Sequence, residues 1–298
     1  VQGEPEAGKN AFSLADGERI AVQDYERLRK TLSPAQRVTA TEMLSSAKAD
    51  VDSVIAEATL IKKQRDVRIK SAAAAAIVAL KEIPKKPQAT IKGLMDSVKD
   101  EENFELQKRS AAAIASLVDQ LVSSGRMKVV DKVVGNLVKF CCMETGETPE
   151  FHPNADRESG ILSLQKDEDI QDRPDAAKYE REVRQARITR RGTKDALEQL
   201  CFQFGTDLFE KVPMLRTLIE NPIRYCFAGD LPADITDPEQ NVGQEVVDAM
   251  STLRALVASF HSELHPFVLD LMGFVARALQ TRLAVLRYIA AKCFASIC

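Results

Sequence analysis

The stretch Lys70-Ser71-Ala72-Ala73-Ala74 reappears 39 residues later as Arg109-Ser110-Ala111-Ala112-Ala113. A third version is Tyr288-Ile289-Ala290-Ala291-Lys292, and a fainter fourth is Arg191-Gly192-Thr193-Lys194-Asp195-Ala196. Small side chains at one place in a helical unit of about 40 residues are typical of HEAT repeats, whose helix pairs stack around one continuous core. The sequence therefore predicts an all-α fold, a HEAT-type α-solenoid of stacked antiparallel helix pairs.

Apolar residues follow a helical period along most of the chain. One seam, with intervals of three and four, consists of Leu44, Ala47, Val51, Val54, Ala58 and Ile61. The stretch Ser33-Pro34-Ala35-Gln36 carries the Ser, Pro and Gln of a helix start, and we expect Asp66 to cap the next helix. Further helices are predicted at about 88–99, 104–123, 127–142, 176–187 and 190–204. No stretch alternates with period two, so no strand is predicted.

The chain divides by composition into four parts. Residues 1–15 are predicted to be a flexible leader, and residues 16–143 and 176–298 to be HEAT repeats. Between them, residues 144–175 carry ten acidic and three basic side chains, a net charge of −7. Such a segment buries too little apolar surface to offset its ordering entropy, so we predict a disordered acidic insertion, with Ile161, Leu162 and Leu164 as its one candidate for a docked piece. The last helical segment carries no polar capping unit, which predicts that the repeats are truncated at this end and that the chain is part of a longer protein.

The overall composition argues against several functional classes. The 298 residues are 45% hydrophobic and 5% aromatic, with a net charge of −3, six Cys and only three His. The charge argues against wholesale coating of nucleic acid, and the Cys spacing indicates buried, reduced thiols. No apolar run approaches the ~18 residues that a membrane span needs. We expect no catalytic residue, no metal site and no cofactor in this segment, because it offers no metal-ligand cluster and no nucleophile–base pair.

Two stretches superficially match enzyme motifs. Residues 3–10 read Gly-Glu-Pro-Glu-Ala-Gly-Lys-Asn, but Asn10 stands where a phosphate-binding loop needs a hydroxyl, and no strand precedes it. The stretch His261-Ser262-Glu263-Leu264-His265 places its Glu one position too late for a zinc-protease helix, and Pro266 favours a new helix start. We interpret it as a turn between helices. The remaining His152 lies in the acidic insertion and completes no triad.

A basic segment follows the acidic insertion directly. Residues 176–194 contain seven basic and two acidic side chains, a net charge of +5. Arg184, Arg187, Arg191 and Lys194 are spaced by three, four and three, so they share one face if the helix is continuous. This candidate interaction stripe could hold DNA phosphates or an acidic partner. Two alternatives stay open: the acidic insertion folds back on it, or it is simply a solvated face.

From about residue 66 onward, several stretches together resemble the family of modifier-of-transcription ATPases, also called B-TFIID TATA-binding-protein-associated factors. The stretches that carry this resemblance are residues 68–80, 94–103, 106–111, 190–192, 262–266 and 287–293. They resemble the middle of that family's HEAT array in their order and in the polar insertion that interrupts them. Thr193 stands where the family's Ala is expected.

The resemblance implies a large nuclear protein whose N-terminal HEAT repeats grip TATA-binding protein. A C-terminal Snf-type ATPase, using ATP and Mg²⁺, then removes that factor from promoter DNA. This segment has no ATPase motif, so the resemblance implies a non-catalytic scaffold linking the gripping repeats to the motor. We expect the chain to be a monomer. No binding residue is carried over. The alternative is a HEAT-repeat adaptor of another large assembly, such as a nuclear transport receptor or a phosphatase scaffold.

Overall fold

The structure is a computed structural model that describes residues 34–81, 83–143, 148–149, 151, 176–237 and 239–298. The predicted leader, the Gly3–Asn10 stretch, His152 and the Ile161–Leu164 piece lie outside the described residues. The chain divides into two compact units, residues 1–63 and residues 64–298. The description below concerns the second unit unless the first is named.

Helices account for most of the described residues, and no strand occurs among them. The α-helices are α1 (Pro34–Ala79), α2 (Gln88–Asp100), α3 (Phe104–Ser123), α4 (Met127–Cys141), α5 (Ala176–Phe204), α6 (Leu208–Lys211), α7 (Pro213–Phe227), α8 (Val242–Leu256), α9 (His265–Ala278) and α10 (Ala284–Ile297). Short 3-10 turns lie at Gly205–Asp207, Ala233–Thr236, Val257–Ser259 and Ser262–Leu264. The all-α prediction is confirmed.

Two predicted helix boundaries are wrong. Helix α1 begins at Pro34, as its start signal predicts, but it continues through Asp66 to Ala79 because no Gly or Pro interrupts residues 35–83. It ends where Lys81 adopts a left-handed φ of 58° ahead of Pro84. Helix α5 likewise runs unbroken through residues 188–189, where two separate helices were predicted. Buried contacts of Ile188 and Thr189 hold that part of α5 in place.

The helices form pairs that stack in two layers. Helices α2 and α3, α4 and α5, α7 and α8, and α9 and α10 pack against each other as pairs. In one layer α4, α7 and α9 follow one another, and in the other α3, α5, α8 and α10 do the same. Helix α5 has 29 residues and α4 only 15, so α5 also reaches α2. This arrangement is a helical solenoid.

One apolar core runs through the stack. Its large, fully buried side chains include Leu94, Ile114, Leu117, Leu137, Leu200, Leu215, Ile219 and Met250. In the unit of residues 1–63, two residues of the predicted apolar seam are exposed and not buried: Val54 is 60% exposed and Ile61 is 58% exposed. Within the described part of the chain, no helix is both long enough and apolar enough to cross a bilayer.

The six cysteines are all free thiols. Five are buried, and only Cys298 is exposed. Burial raises the pKa of Cys141 to about 11 and that of Cys201 to about 12, so these thiols stay protonated and unreactive at neutral pH. The interpretation of the cysteines as core residues is thus confirmed for all but the last one.

Candidate interaction surface

Equivalent serines of the first two repeat copies touch each other. The Ser71 hydroxyl of α1 lies 2.7 Å from the Ser110 hydroxyl of α3, and Ser97 of α2 lies 2.8 Å from the same Ser110 oxygen. All three are buried, so this small polar cluster satisfies hydroxyls that would otherwise be costly in the core. A repeat period read from the sequence therefore corresponds to a direct contact between equivalent helices of successive units.

The turn between α2 and α3 is held by a buried carboxylate. The Glu101 side chain is 3% exposed, and Arg68 of α1 donates two hydrogen bonds to it, Nε to Oε2 and Nη2 to Oε1, each at 2.8 Å. The backbone N–H of Asn103 donates a third to Oε1 at 2.9 Å. The hydrogen bond from Arg68 outweighs burial and lowers the pKa of Glu101. This bidentate pair ties α1 to the α2–α3 turn.

Gln107 of α3 is a fully buried polar side chain at the junction of three helices. Its Nε2 donates to the carbonyl of Val98 at 2.7 Å and to that of Ile188 at 2.9 Å. Its Oε1 accepts from the Arg191 Nε at 2.6 Å. The two N–H groups and the oxygen of this amide thus all have partners among the described residues, so this buried network stabilises the junction.

Gly192 lets α5 approach this network closely. A Cβ atom at this position would lie 2.1 Å from the Val98 carbonyl oxygen and 2.3 Å from the Gln107 Nε2. Only glycine leaves room for that approach. The next residue, Thr193, is fully buried, and its hydroxyl donates to the Thr189 carbonyl at 2.8 Å. We name the set Arg68, Glu101, Gln107, Arg191 and Gly192 the polar junction.

The four residues of the predicted basic stripe lie on the continuous helix α5, but most have partners within the chain. Arg184 pairs with Glu102 at 3.0 Å, and Lys194 pairs with Glu198 at 3.1 Å. Besides Gln107, Arg191 binds the carbonyl oxygen of Glu102 at 3.0 Å. Arg187 is exposed and makes no ion pair or side-chain hydrogen bond with the described residues. The stripe therefore combines interhelix contacts with exposed positive charge.

A neighbouring arginine that the stripe did not include holds the start of the predicted insertion. Arg190 donates from Nη1 to the buried Thr148 hydroxyl at 2.8 Å. Three residues later, the Phe151 ring lies against Gly243 of α8, where a Cβ would come within 2.2 Å of it. The Phe151 N–H also donates to the Gln244 Oε1 at 2.7 Å. The packed part of the chain thus extends past residue 143. The sequence feature that could have predicted this is the isolated aromatic residue Phe151.

The Gln244 side chain that binds Phe151 also contacts a carboxyl group whose pKa is raised. Gln244 donates from Nε2 to the Asp248 Oδ1 at 2.7 Å, and burial raises the pKa of Asp248 to about 6.

We expect this carboxyl to affect stability in the opposite sense to an ordinary one. The folded state binds its proton more tightly than the unfolded state, whose Asp pKa is about 3.9, so the contribution of Asp248 to stability becomes more favourable as pH falls from about 7 to about 4. Asp248→Asn should remove this contribution, which urea unfolding at pH 4.5 and pH 7 would measure. The exposed Asp230→Asn serves as control. An unchanged difference between the two pH values in Asp248→Asn would contradict this assignment.

The apparent zinc-protease motif is a turn between helices, as predicted. His261 precedes the short 3-10 turn Ser262–Leu264, and its Nδ1 accepts from the Glu263 N–H at 3.3 Å. Helix α9 then begins at His265 with Pro266 in its first turn. Within the described ranges, no three His, Cys, Asp or Glu side chains form a group that could hold a metal ion.

Comparison with known proteins identifies close relatives for the whole chain. Residues 1–218 match the family described as "Domain of unknown function (DUF3535)". The chain is 58% identical over 299 residues to TATA-binding protein-associated factor mot1 of Aspergillus fumigatus and 32% identical over 316 residues to its namesake in Schizosaccharomyces pombe. Each alignment covers 100% of this chain and 16% of the relative. TATA-binding protein-associated factor BTAF1 of Arabidopsis thaliana is 25% identical over 78% of this chain and 12% of its own length.

Proposed function

Because this chain belongs to the DUF3535 family of TATA-binding protein-associated factors named Mot1 and BTAF1, we propose that it is a non-catalytic scaffold segment of a remover of TATA-binding protein. The chain spans 16% of the length of the mot1 relatives it matches. In this proposal the segment links the repeats that grip TATA-binding protein to an ATP-dependent, Snf-type motor elsewhere in the same nuclear protein. The names of these relatives favour this role over an adaptor in nuclear transport or phosphatase assembly.

The polar junction is the observation that carries the scaffold role. A solenoid whose units touch only through apolar side chains can flex at each interface, since each unit contacts mainly its neighbours. Here Arg68 of α1 binds the Glu101 carboxylate at the α2–α3 turn. Arg191 of α5 binds the same turn at the Glu102 carbonyl and also binds Gln107 of α3. Directional bonds with buried partners resist sliding between helices more than apolar contacts do. They would fix the spacing among α1, α2, α3 and α5 and so stiffen this part of the array.

The proposal makes no use of a cofactor or of bound DNA in this segment. ATP and Mg²⁺ would bind in the motor, and TATA-binding protein would contact other repeats. The basic stripe remains a candidate for DNA contact, for which Arg187 and the exposed Arg184 side chain are the available charges. We further propose that the protein acts as a monomer.

The test separates transmission from binding in the full-length protein. We would compare wild type with Gln107→Ala, and with Lys132→Ala on the exposed side of α4 as control. We expect Gln107→Ala to bind TATA-binding protein and hydrolyse ATP normally, yet to release the factor from a promoter duplex severalfold more slowly. If Gln107→Ala unfolds the segment, Arg191→Lys replaces it as the milder change within the polar junction, because it keeps the positive charge but loses the guanidinium that reaches both Gln107 and the Glu102 carbonyl.

Two results would contradict the scaffold role. One is a normal release rate in a variant whose junction has been shown by hydrogen exchange to be loosened. The other is loss of TATA-binding protein binding itself, which would make the segment part of the grip.

A further inference from the structure

A cleft of about 840 Å³ opens between the end of α1 and the outer side of α3. From the sequence, the alanine runs of the first two repeat copies have a role in helix packing alone. In the structure, some of these alanines lie in the core and others line the cleft. Ala74 and Ala111 are buried in the core. Their neighbours form the small-residue floor of the cleft: Ala75, Ala79, Ala112, Ala113 and Ser116. The short side chains therefore leave room on the surface as well as inside.

Beyond the cleft, the same side of α3 leads to an exposed aromatic ring. Phe104, Lys108, Ala112 and Ser116 follow one another at intervals of four and so lie on one side of the helix. Phe104 is 45% exposed, and its ring centroid lies 5.9 Å from the Lys108 Nζ and 5.6 Å from the Arg191 Cζ. The rise from Phe104 to Ser116 is about 18 Å, or roughly three helical turns. We name this surface, from Phe104 to the far end of the cleft, the α3 groove.

Positive charge lies at both ends of the α3 groove. Lys108 and Arg191 flank its entrance, where they outnumber the neighbouring Asp195 carboxylate, and Lys81 and Arg126 line the far end of the cleft. Asp119 is the one acidic side chain among the described residues that line the cleft. An occupant with carboxylates near its two ends would complement this pattern.

One buried atom in the lining lacks a partner. Gln120 donates from Nε2 to the Val78 carbonyl at 2.9 Å, but its Oε1 is buried and accepts no hydrogen bond from the described residues. Buried amide oxygens are nearly always paired, since an unpaired one costs about 1–3 kcal/mol. One of the free backbone N–H groups in the first turn of an occupant helix would satisfy it.

We propose that the α3 groove binds an amphipathic helix of a partner protein, with small apolar side chains on one face and carboxylates toward both ends. This function is separate from the scaffold role. A floor of Ala and Ser allows a helix backbone to approach closely, and helix-in-groove recognition uses apolar anchors at intervals of three and four. A DNA duplex in the Ala-lined cleft would bring its phosphates against the Asp119 carboxylate. The observations therefore favour a protein helix.

The test uses two labelled peptides and the 298-residue chain. One is an 18-residue helix of Ala and Leu with Glu near both ends, and its counterpart carries Lys in place of Glu. Fluorescence anisotropy should show the Glu peptide binding at least about tenfold more tightly than the Lys peptide. Ala112→Trp, which fills the cleft, should abolish binding, and Arg126→Glu should weaken it about tenfold. Lys128→Glu on the exposed side of α4 should have no effect.

Circular dichroism must show that each variant is folded. If Ala112→Trp is not folded, Ser116→Leu provides a second cleft-filling change. The proposal is overturned if the Glu peptide shows no binding at about 1 mM, or if a folded cleft-filling variant binds it as wild type does. It is also overturned if a duplex DNA probe binds in the groove instead and the cleft-filling change abolishes that binding.

Discussion

Gly192→Ala is expected to lower the free energy of unfolding by about 3 kcal/mol or more. The added Cβ would lie 2.1 Å from the Val98 carbonyl oxygen, a backbone atom that cannot turn aside as a flexible side chain could. To make room, α5 must move away from α2, which also stretches the hydrogen bonds of Gln107. Urea unfolding followed by circular dichroism at 222 nm measures this loss, and the absence of Trp makes fluorescence a poor alternative.

Gly135→Ala provides the matched control. Gly135 is also inside a helix, but a Cβ there would meet nothing within 4 Å. Since Ala is the better helix former, this variant should be more stable than wild type by about 0.5–1 kcal/mol. The close approach at Gly192 would be refuted if both substitutions changed stability in the same direction.

Gln107→Leu is expected to cost about 3 kcal/mol, although Leu is similar in size and apolar. The change leaves the carbonyls of Val98 and Ile188 without their donor and the Arg191 Nε without its acceptor, all in or near the core. Leaving buried polar groups unpaired is more costly than the loss of a hydrogen bond in water. The same urea experiment gives the magnitude.

Gln203→Leu on the same array is the control, because Gln203 is exposed and should tolerate the change within about 0.5 kcal/mol. A double-mutant cycle with Arg191→Met isolates the coupling between the amide and the guanidinium. A loss below about 1 kcal/mol in Gln107→Leu would mean that water replaces the missing partners and that the junction is not a dry network.

Periodicity was a good guide to the stacking of helices. The recurrence at residues 70–74 and 109–113 predicted equivalent places in successive units, and Ser71 and Ser110 do meet across them. It was a poor guide to helix ends. Asp66 has a side chain that can cap a helix, but it marks no helix boundary because the flanking residues favour helix and no Gly or Pro intervenes. Helix start signals accompanied by Pro, at Pro34 and Pro266, were reliable.

The site was harder to predict than the fold. Spacing alone placed Arg184, Arg187, Arg191 and Lys194 on one face, which the continuity of α5 supports. It could not reveal that Arg184 and Arg191 meet the α2–α3 turn, since Glu102 is 82 positions from Arg184 in the chain. Gln107 gave no signal of its importance either, because an isolated Gln on a helix is usually exposed. Its role depends on Val98 and Ile188, which only the stacking brings together.

The 29-residue length of α5 has a consequence for how the array loses structure. A repeat protein whose units meet only adjacent units can fray from one end, each pair melting in turn. Because α5 packs on α2, α3 and α4 together, those two helix pairs share one long element and should exchange their amide hydrogens as a single cooperative block. The segment from α2 to α5 would then open as one unit and not pair by pair.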